Sequence, residues 1–187
     1  MVSINISILE AWKMIELICG DSMKILPDLF KKTKSFDMIF LDPPFTEWHA
    51  SELGKYNVNS LSYCVNRLLR PNGVVWLWGY APQLINDWRY WNRWFKCIFD
   101  MIRIKPAGHP TQKPLKMVKM LVETSTDVND WILDPFAGSS VTLQAAQELN
   151  RNCIGIEISP KYCKMKRRRL ERVRVITKLS KFLKLTP

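Results

Sequence analysis

Asp42-Pro43-Pro44-Phe45 is the stretch best equipped for chemistry. An acid and an aromatic flank two prolines. Proline stiffens the backbone and has no N–H, so the loop around it presents carbonyl oxygens. The result is an acceptor-rich, aromatic-edged notch that suits a planar group bearing an amine. A plain strand-ending turn is the other reading of these four residues, and they do not separate the two. A second stretch, Asp134-Pro135-Phe136-Ala137-Gly138-Ser139-Ser140, is a loop of small residues through which backbone can approach a ligand. Glu157 follows it about 20 residues later, the spacing at which an acid takes ribose hydroxyls in a nucleoside site. A mere surface acid is the alternative for Glu157. The loop is neither a GxGxxG fingerprint nor a P-loop, since GxxxxGK[ST] is missing. In His109-Pro110-Thr111-Gln112-Lys113-Pro114, two prolines again fix a loop, and its polar side chains precede a helix, a placement that suits an anion. Asp21, after Gly20, is a candidate acceptor for an adenine amine or a ribose, or an ordinary helix cap. His49 lies in a polar loop over 46–60 and reads as part of a binding or lid loop rather than as a catalytic base.

Each of these residues follows a short apolar run. Ile15 to Cys19 and Phe36 to Leu41 read as strands, and so do Val74 to Trp78, Trp131 to Leu133 and Cys153 to Glu157. Met23 to Phe30 reads as a short helix or turn broken by Pro27. Leu61 to Leu69 reads as a helix ended by Pro71-Asn72-Gly73. Helices are also expected over Ala81 to Asn92, Leu115 to Thr124 and Val141 to Leu149, the last capped by Ser139 or Ser140. Trp94 to Lys105 is strand-like, and Val2 to Leu9 alternates as a short edge strand would. The acids thus fall at the carboxyl ends of strands, where open α/β sheets place ligands. Most of the aromatics between Trp76 and Trp94 read as core; an exposed Trp88, Tyr90 or Trp91 could stack on bases.

At 187 residues and 47% hydrophobic, the chain is long enough for one domain with a substantial core. Its five cysteines form no CxxC pair, so neither a disulfide framework nor a zinc site is suggested; free thiols in a reducing cytosol are the simplest reading. No apolar run approaches the about 20 residues of a membrane span, and the N-terminus does not resemble a signal peptide. Charge is concentrated. From Lys161 onward there are eleven lysines and arginines against one acid, Glu171, a net +10 of the chain's +11. Such a cluster is the footprint of a phosphate-backbone binder, or else a solvated helix face. Leu170, Val173, Ile176, Leu179 and Leu183 recur at helical steps among these charges. Their stripe would dock on the domain or on a second copy, making a homodimer one arrangement to test. A basic amphipathic helix also suits a membrane surface, which is set aside for DNA.

Taken together, the blocks resemble the amino-group DNA methyltransferases, the S-adenosylmethionine-dependent family acting on exocyclic amines of adenine or cytosine. Five blocks stand in one order: GDS after a strand, DPPF, the helix-PNG-strand unit, HPTQKP, and DPFAGSS through GIEISPKYC. They cover most of residues 15 to 170, and the order resembles the permuted group called beta. The resemblance implies a Rossmann-like, mostly parallel sheet with helices on both faces, circularly permuted so that the cofactor strand comes late; the short spacing between Phe45 and His109 leaves minimal or no separate target-recognition domain. It implies a catalytic domain over 1–170 and a basic helical tail over 171–187. By the same resemblance, Asp134, Phe136, Gly138 and Ser139 form the cofactor loop, Glu157 holds the ribose and Asp21 lies near the adenine of the cofactor. His109, Thr111 and Lys113 bracket its methionine end. Asp42 and the Pro43 carbonyl accept the target amine's hydrogens, with Pro44 stiffening the turn and Phe45 stacking on the flipped base. No metal is needed. Lys166, Arg167, Arg168, Arg169 and Arg172 are the expected phosphate contacts on double-stranded DNA.

Two departures stand out. The family's loop usually reads GSG followed by Thr, whereas Gly138-Ser139 is followed here by Ser140 and Val141, so a side chain crowds the loop. Only 63 residues separate Phe45 from His109, where the family usually fits extra strands and a recognition region. The expected activity is methylation of adenine N6 in DNA, in the cytoplasm of a prokaryotic or virus-infected cell and in a restriction-modification setting. The alternatives are a cytosine-N4 enzyme and a methyltransferase-like subunit that binds nucleic acid without activity.

Overall fold

The computed structural model describes residues 14–31, 35–43, 57–79, 87, 89–91, 113–164, 166, 167 and 170. Among the described residues the fold is carried by β1 (Ile15–Cys19), α1 (Ser22–Lys31), β2 (Phe36–Leu41), α2 (Val58–Leu68), β3 (Leu69–Leu77), α3 (Leu115–Ser125), β4 (Trp131–Asp134), α4 (Val141–Glu148) and β5 (Asn152–Glu157), and residues 160–164, 166, 167 and 170 are also helical. The strands form one parallel sheet in the order β1-β5-β4-β2-β3. Strand β1 therefore pairs with β5, and the strand carrying the Asp134 loop sits at the centre although it comes fourth among the described strands. That is the rearranged order the sequence predicts.

Side-chain alternation along β2 divides the core. Met38 and Phe40 point to one face, where they meet Val118, Leu121 and Val122 of α3 and Leu143, Ala145 and Ala146 of α4. Ile39 and Leu41 point to the other, against Leu26 and Leu29 of α1 and Leu61, Val65 and Leu68 of α2. A sheet covered on both faces has near-continuously apolar central strands, and β2 is buried at five of its six positions. The doubly wound, helix-covered sheet matches the expected fold class.

Three local expectations are corrected. Helix α1 continues through Pro27. The missing N–H costs one helical bond, but burial of Ser22, Leu26 and Leu29 along one stripe holds the helix to the sheet. Pro71-Asn72-Gly73 lies inside β3 rather than before it. The pairing register passes from Phe36–Leu69 to Met38–Val74, so the tripeptide bulges from the ladder, with Asn72 left-handed at φ 66°. A Cβ at Gly73 would stand 2.9 Å from the carbonyl oxygen of Asp37, which explains glycine there. The polar loop before α2 ends by residue 57: Asn57 caps that helix, its Oδ1 accepting from the Ser60 N–H at 3.0 Å. The expected elements over 2–9, 94–105 and 171–187, and most of the helix over 81–92, lie outside the described residues; residues 87 and 89–91 are helical.

Candidate active site

All five strands end on the same side, so their carboxyl ends form one edge. Along it stand Asp21 after β1, Glu157 ending β5, Asp134 ending β4 and Asp42 after β2, four acids on four adjacent strands; Trp78 follows β3. Strand β4 connects outward through α4 to β5, and β2 connects outward the other way through α2 to β3. The two helices lie on opposite faces. The order of the sheet thus reverses between β4 and β2. A crevice opens at such a point, and it is the favoured ligand position of open α/β sheets. Asp134 and Asp42 stand on either side of it.

The Asp134 loop is fastened to its neighbours. The Ala137 N–H donates to the Ile156 carbonyl at 2.8 Å, and the Ser22 hydroxyl donates to the Pro135 carbonyl, tying the turns after β1 and β4 together across β5. Gly155 on β5 makes room beneath: a Cβ there would come within 2.5 Å of the Leu143 Cδ1 and 3.0 Å of the Ala137 Cβ. Gly138 is exposed, with φ 39°, and its missing Cβ would meet nothing nearer than the Phe136 carbonyl at 3.4 Å. A ligand can therefore approach this backbone closely. Ser139 is half-buried. Ser140 occupies the N-cap position of α4 in left-handed backbone, φ 59° and ψ 28°, without a side-chain cap bond, which corrects the expected serine cap. Its hydroxyl is buried with no hydrogen-bond partner among the described residues. The crowding expected at Ser140 takes this form: an L-residue in the conformation that glycine adopts without strain.

Asp134 is 3% exposed, and burial pushes its carboxyl up to about 7. Hydrogen bonds from the Thr142 side chain and the Phe136 N–H oppose that rise, the charge of Asp42 adds to it and Lys166 counters it. The Phe136 N–H lies 3.1 Å from Oδ1. The charged groups of this edge thus feel one another.

Glu157 is also buried. Its Oε1 accepts from the Ser159 N–H at 2.9 Å, and Lys166 Nζ stands 3.3 Å from Oε2 and 5.0 Å over the Tyr162 ring. Each carboxylate oxygen has a second lone pair, so vicinal hydroxyls remain acceptable partners. Lys166 itself is 9% exposed, so its ammonium is committed to Glu157 beneath the surface. A phosphate contact by Lys166 would have to draw it from this pair. Arg167 is exposed and donates to the Leu17 carbonyl at 3.3 Å. Asp21 caps α1: its Oδ1 accepts from the Met23 N–H at 2.9 Å, and its carbonyl from Lys24 and Ile25, each at 3.1 Å. The cap reading and a ligand role for Asp21 are compatible, because capping occupies one oxygen.

At the β2 end, Pro43 is buried and Asp42 half-buried. Lys113 Nζ donates to Asp42 Oδ2 at 2.7 Å and lies 5.4 Å from the centre of the Trp78 ring. Trp78 in turn stacks on Phe40 at 6.3 Å, and its backbone N–H donates to the Leu41 carbonyl at 2.7 Å. Lys113, assigned by resemblance to the cofactor's methionine end, thus touches the acid assigned to the target amine. Sequence reasoning missed this pairing, along with the roles of Trp78, Ser22 and Gly155. The GDS and HPTQKP motifs contain Ser22 and Lys113, but their partners lie 113 and 71 residues away. Pro44, Phe45, His109, Thr111, Arg168, Arg169 and Arg172 lie outside the described residues.

A family model described as DNA methylase matches residues 75–168, and one described as conserved hypothetical protein 95 matches residues 1–95. The chain is 47% identical over 68 residues to the type II methyltransferase M2.DpnII of Streptococcus pneumoniae, covering 36% of this chain and 25% of that one. It is 48% identical over 64 residues to the DNA adenine methyltransferase YhdJ of Escherichia coli, covering 34% and 22%. It thus spans about a quarter of the length of the curated relatives it matches. Among solved structures, the M1.HpyAVI–SAM complex superposes with a TM-score of 0.66 at 21% identity, over 83% of this chain and 100% of that one. TTHA0409 of Thermus thermophilus, complexed with S-adenosyl-L-methionine, gives 0.59 at 19%, over 86% and 96%. At these identities the likeness establishes the fold.

Proposed function

This chain belongs to the DNA methylase family, and from that premise we propose that it transfers a methyl group from S-adenosylmethionine to the N6 amine of adenine in DNA. One observation carries the reading. Asp42 and the Asp134 loop stand on the adjacent strands where the sheet reverses, so a target amine and a methyl donor bound to them would meet in one crevice. Adenine is favoured over cytosine because a relative carries adenine in its name. The partner is DNA, and the compartment is the bacterial cytoplasm.

The residues present suit the cofactor. Its ribose offers hydroxyls to Glu157, its positive charges suit an edge of four acids, and Gly138 lets it approach the loop backbone. When bound, it supplies an electrophilic methyl on a sulfonium. The chain's own residues do the rest. An exocyclic amine is a poor nucleophile because its lone pair is delocalised into the ring. Asp42 accepts one of its hydrogens and the Pro43 carbonyl the other. Both acceptors hold the nitrogen while it pyramidalises, and positioning with preorganised charge supplies most of the acceleration. With the cofactor bound, the methyl would pass from its sulfur to the amine nitrogen, and Asp42 would take the amine proton. Arg167, Arg168, Arg169 and Arg172 would grip phosphates, with Lys166 joining them if it leaves Glu157.

Tritiated-methyl transfer to DNA of varied sequence, followed by mass spectrometry of the nucleosides, tests this reading. N6-methyladenine is expected. N4-methylcytosine would move the target to cytosine. DNA binding without any transfer at saturating cofactor would make the chain a binding subunit.

A further inference from the structure

Lys113 has a chemistry that its assignment to the cofactor does not use. Its ammonium is held from two sides, by Asp42 Oδ2 at 2.7 Å and by the face of Trp78 at 5.4 Å. Its side chain is 18% exposed and that of Asp42 is 31% exposed, so the pair is sheltered yet open to a ligand at the crevice. An ammonium has three N–H groups and a carboxylate about four lone-pair sites, so the bond between them does not exhaust either. A donor and an acceptor therefore stand side by side, fixed in relative position by an aromatic wall.

Resting on the methyltransferase reading, we propose that Lys113 and Asp42 form one device that reads the amidine edge of the flipped base: Asp42 accepts from the exocyclic amine while Lys113 donates to the adjacent ring nitrogen. In adenine these atoms are N6 and N1, both bonded to C6. Cytosine offers the same pattern at N4 and N3. Thymine reverses it, with a carbonyl facing Asp42 and an N–H facing Lys113. So does guanine at O6 and N1. Either would bring oxygen against carboxylate and N–H against ammonium, both repulsive. Presented at the C6 edge of a purine or the C4 edge of a pyrimidine, adenine and cytosine match the device, and guanine and thymine meet it with mispaired polar groups, the stronger kind of discrimination. Flipped bases are commonly read along this edge. Lys113 thereby becomes a substrate-contacting residue.

A cycle that alters both enzyme and substrate tests this. Sequencing of the methylated DNA first fixes the target site. Duplexes are then made with adenine, 1-deazaadenine or 7-deazaadenine at the target, and single-turnover rates are measured for wild type and Lys113→Met. Methionine keeps the stem and removes the donors. Lys113→Met should slow methylation of adenine by about 10- to 100-fold, the usual scale for one base-edge contact. Replacing N1 by carbon should abolish that difference, so that both enzymes act on 1-deazaadenine alike. The intrinsic reactivity of each analogue cancels between the two enzymes. With 7-deazaadenine the full penalty of the variant should remain. Independent losses from Lys113→Met and 1-deazaadenine would overturn the proposal, as would a penalty that disappears with 7-deazaadenine instead. If Lys113→Met does not fold, judged by circular dichroism and thermal melting, Lys113→Ala, which also lacks the donors, takes its place under the same criteria. A wild-type chain that methylates nothing overturns the functional reading itself; an active chain without the coupling overturns only this one.

Discussion

The two ends of the parallel sheet are made by the same five strands, yet their polar groups are handled in opposite ways. At the amino end most of the described polar groups bind one another, the buried Gln147 Oε1 in the last turn of α4 being an exception. Asp37 accepts from Arg70 at 2.7 Å with one oxygen and from the Trp131 N–H at 2.8 Å with the other, joining β2 to β4. Arg151 is buried and donates to the Thr126 hydroxyl at 3.1 Å and the Leu149 carbonyl at 2.6 Å. Asn152 bridges Met14 and Asn129. At the carboxyl end, Asp134 is buried with a raised carboxyl, Ser140 is strained with an unpartnered hydroxyl, and two lysines bridge to acids that ligands would also use. Burial without full satisfaction is unfavourable for folding. It persists where a ligand completes the set. The amino end is largely satisfied from within, and the carboxyl end is where the proposed chemistry would take place.

Truncating one acid at each end tests that contrast most strongly. Asp42→Ala should lower the methyl-transfer rate by about 10²–10³, the scale of one preorganised electrostatic contact. Cofactor binding and the melting temperature should stay near wild type. Near-normal turnover in this variant would remove Asp42 from the mechanism. Titration of Asp134 comes next. Its folded carboxyl is raised to about 7 from an ordinary 3.8, so the fold favours the protonated form. That contribution is fully present below the ordinary value and is lost as pH rises through about 7, amounting to a few kcal/mol at most. Thermal melts of wild type and Asp134→Asn from pH 4 to 8 should therefore diverge, with wild type losing ground as pH rises. Parallel curves would mean that the buried acid does not titrate there. A cationic cofactor should also expel the proton, which calorimetry in buffers of different ionisation enthalpy would detect at pH 6 to 7.

Asp37→Ala is the converse of the first variant. It strands the Trp131 N–H and Arg70, so stability should fall by about 1–3 kcal/mol in urea titration. Activity per folded molecule should not change. A specific loss of transfer would erase the distinction between the ends. The smallest effect belongs to Ser140. Ser140→Gly relieves the left-handed strain and removes the orphan hydroxyl, and should stabilise the fold by about 1 kcal/mol. Ser140→Ala removes only the hydroxyl, and comparing the two melts separates the contributions. A destabilised glycine variant would show that the serine is supported by contacts its geometry does not reveal.

Most of the framework can be read from residue types. Phe36 to Leu41 is legible as a buried strand because both faces of a central parallel strand are apolar, and the acids at 42, 134 and 157 because each ends such a run. The order of motifs predicts a sheet whose cofactor strand comes late, which the pairing of β4 between β5 and β2 satisfies. Local rules fail where packing overrides them. Pro27 does not break α1, because its buried stripe outweighs one lost bond, and Pro71-Asn72-Gly73 is absorbed as a bulge, because β3 pairs with β2 on both sides of it.

Composition and period over a few neighbours thus suffice to say which strand end each candidate residue occupies. Who faces whom was settled by folding in three dimensions. Folding set Lys113 on Asp42 rather than leaving it with its own loop, and drew Lys166 inward to Glu157, away from the basic tail. It also placed Gly155 under Leu143 and left Ser140 in a left-handed turn. The cause is distance along the chain. A hydropathy period records the local backbone, whereas an ion pair between residues 71 apart exists only after the sheet has brought two strand ends together.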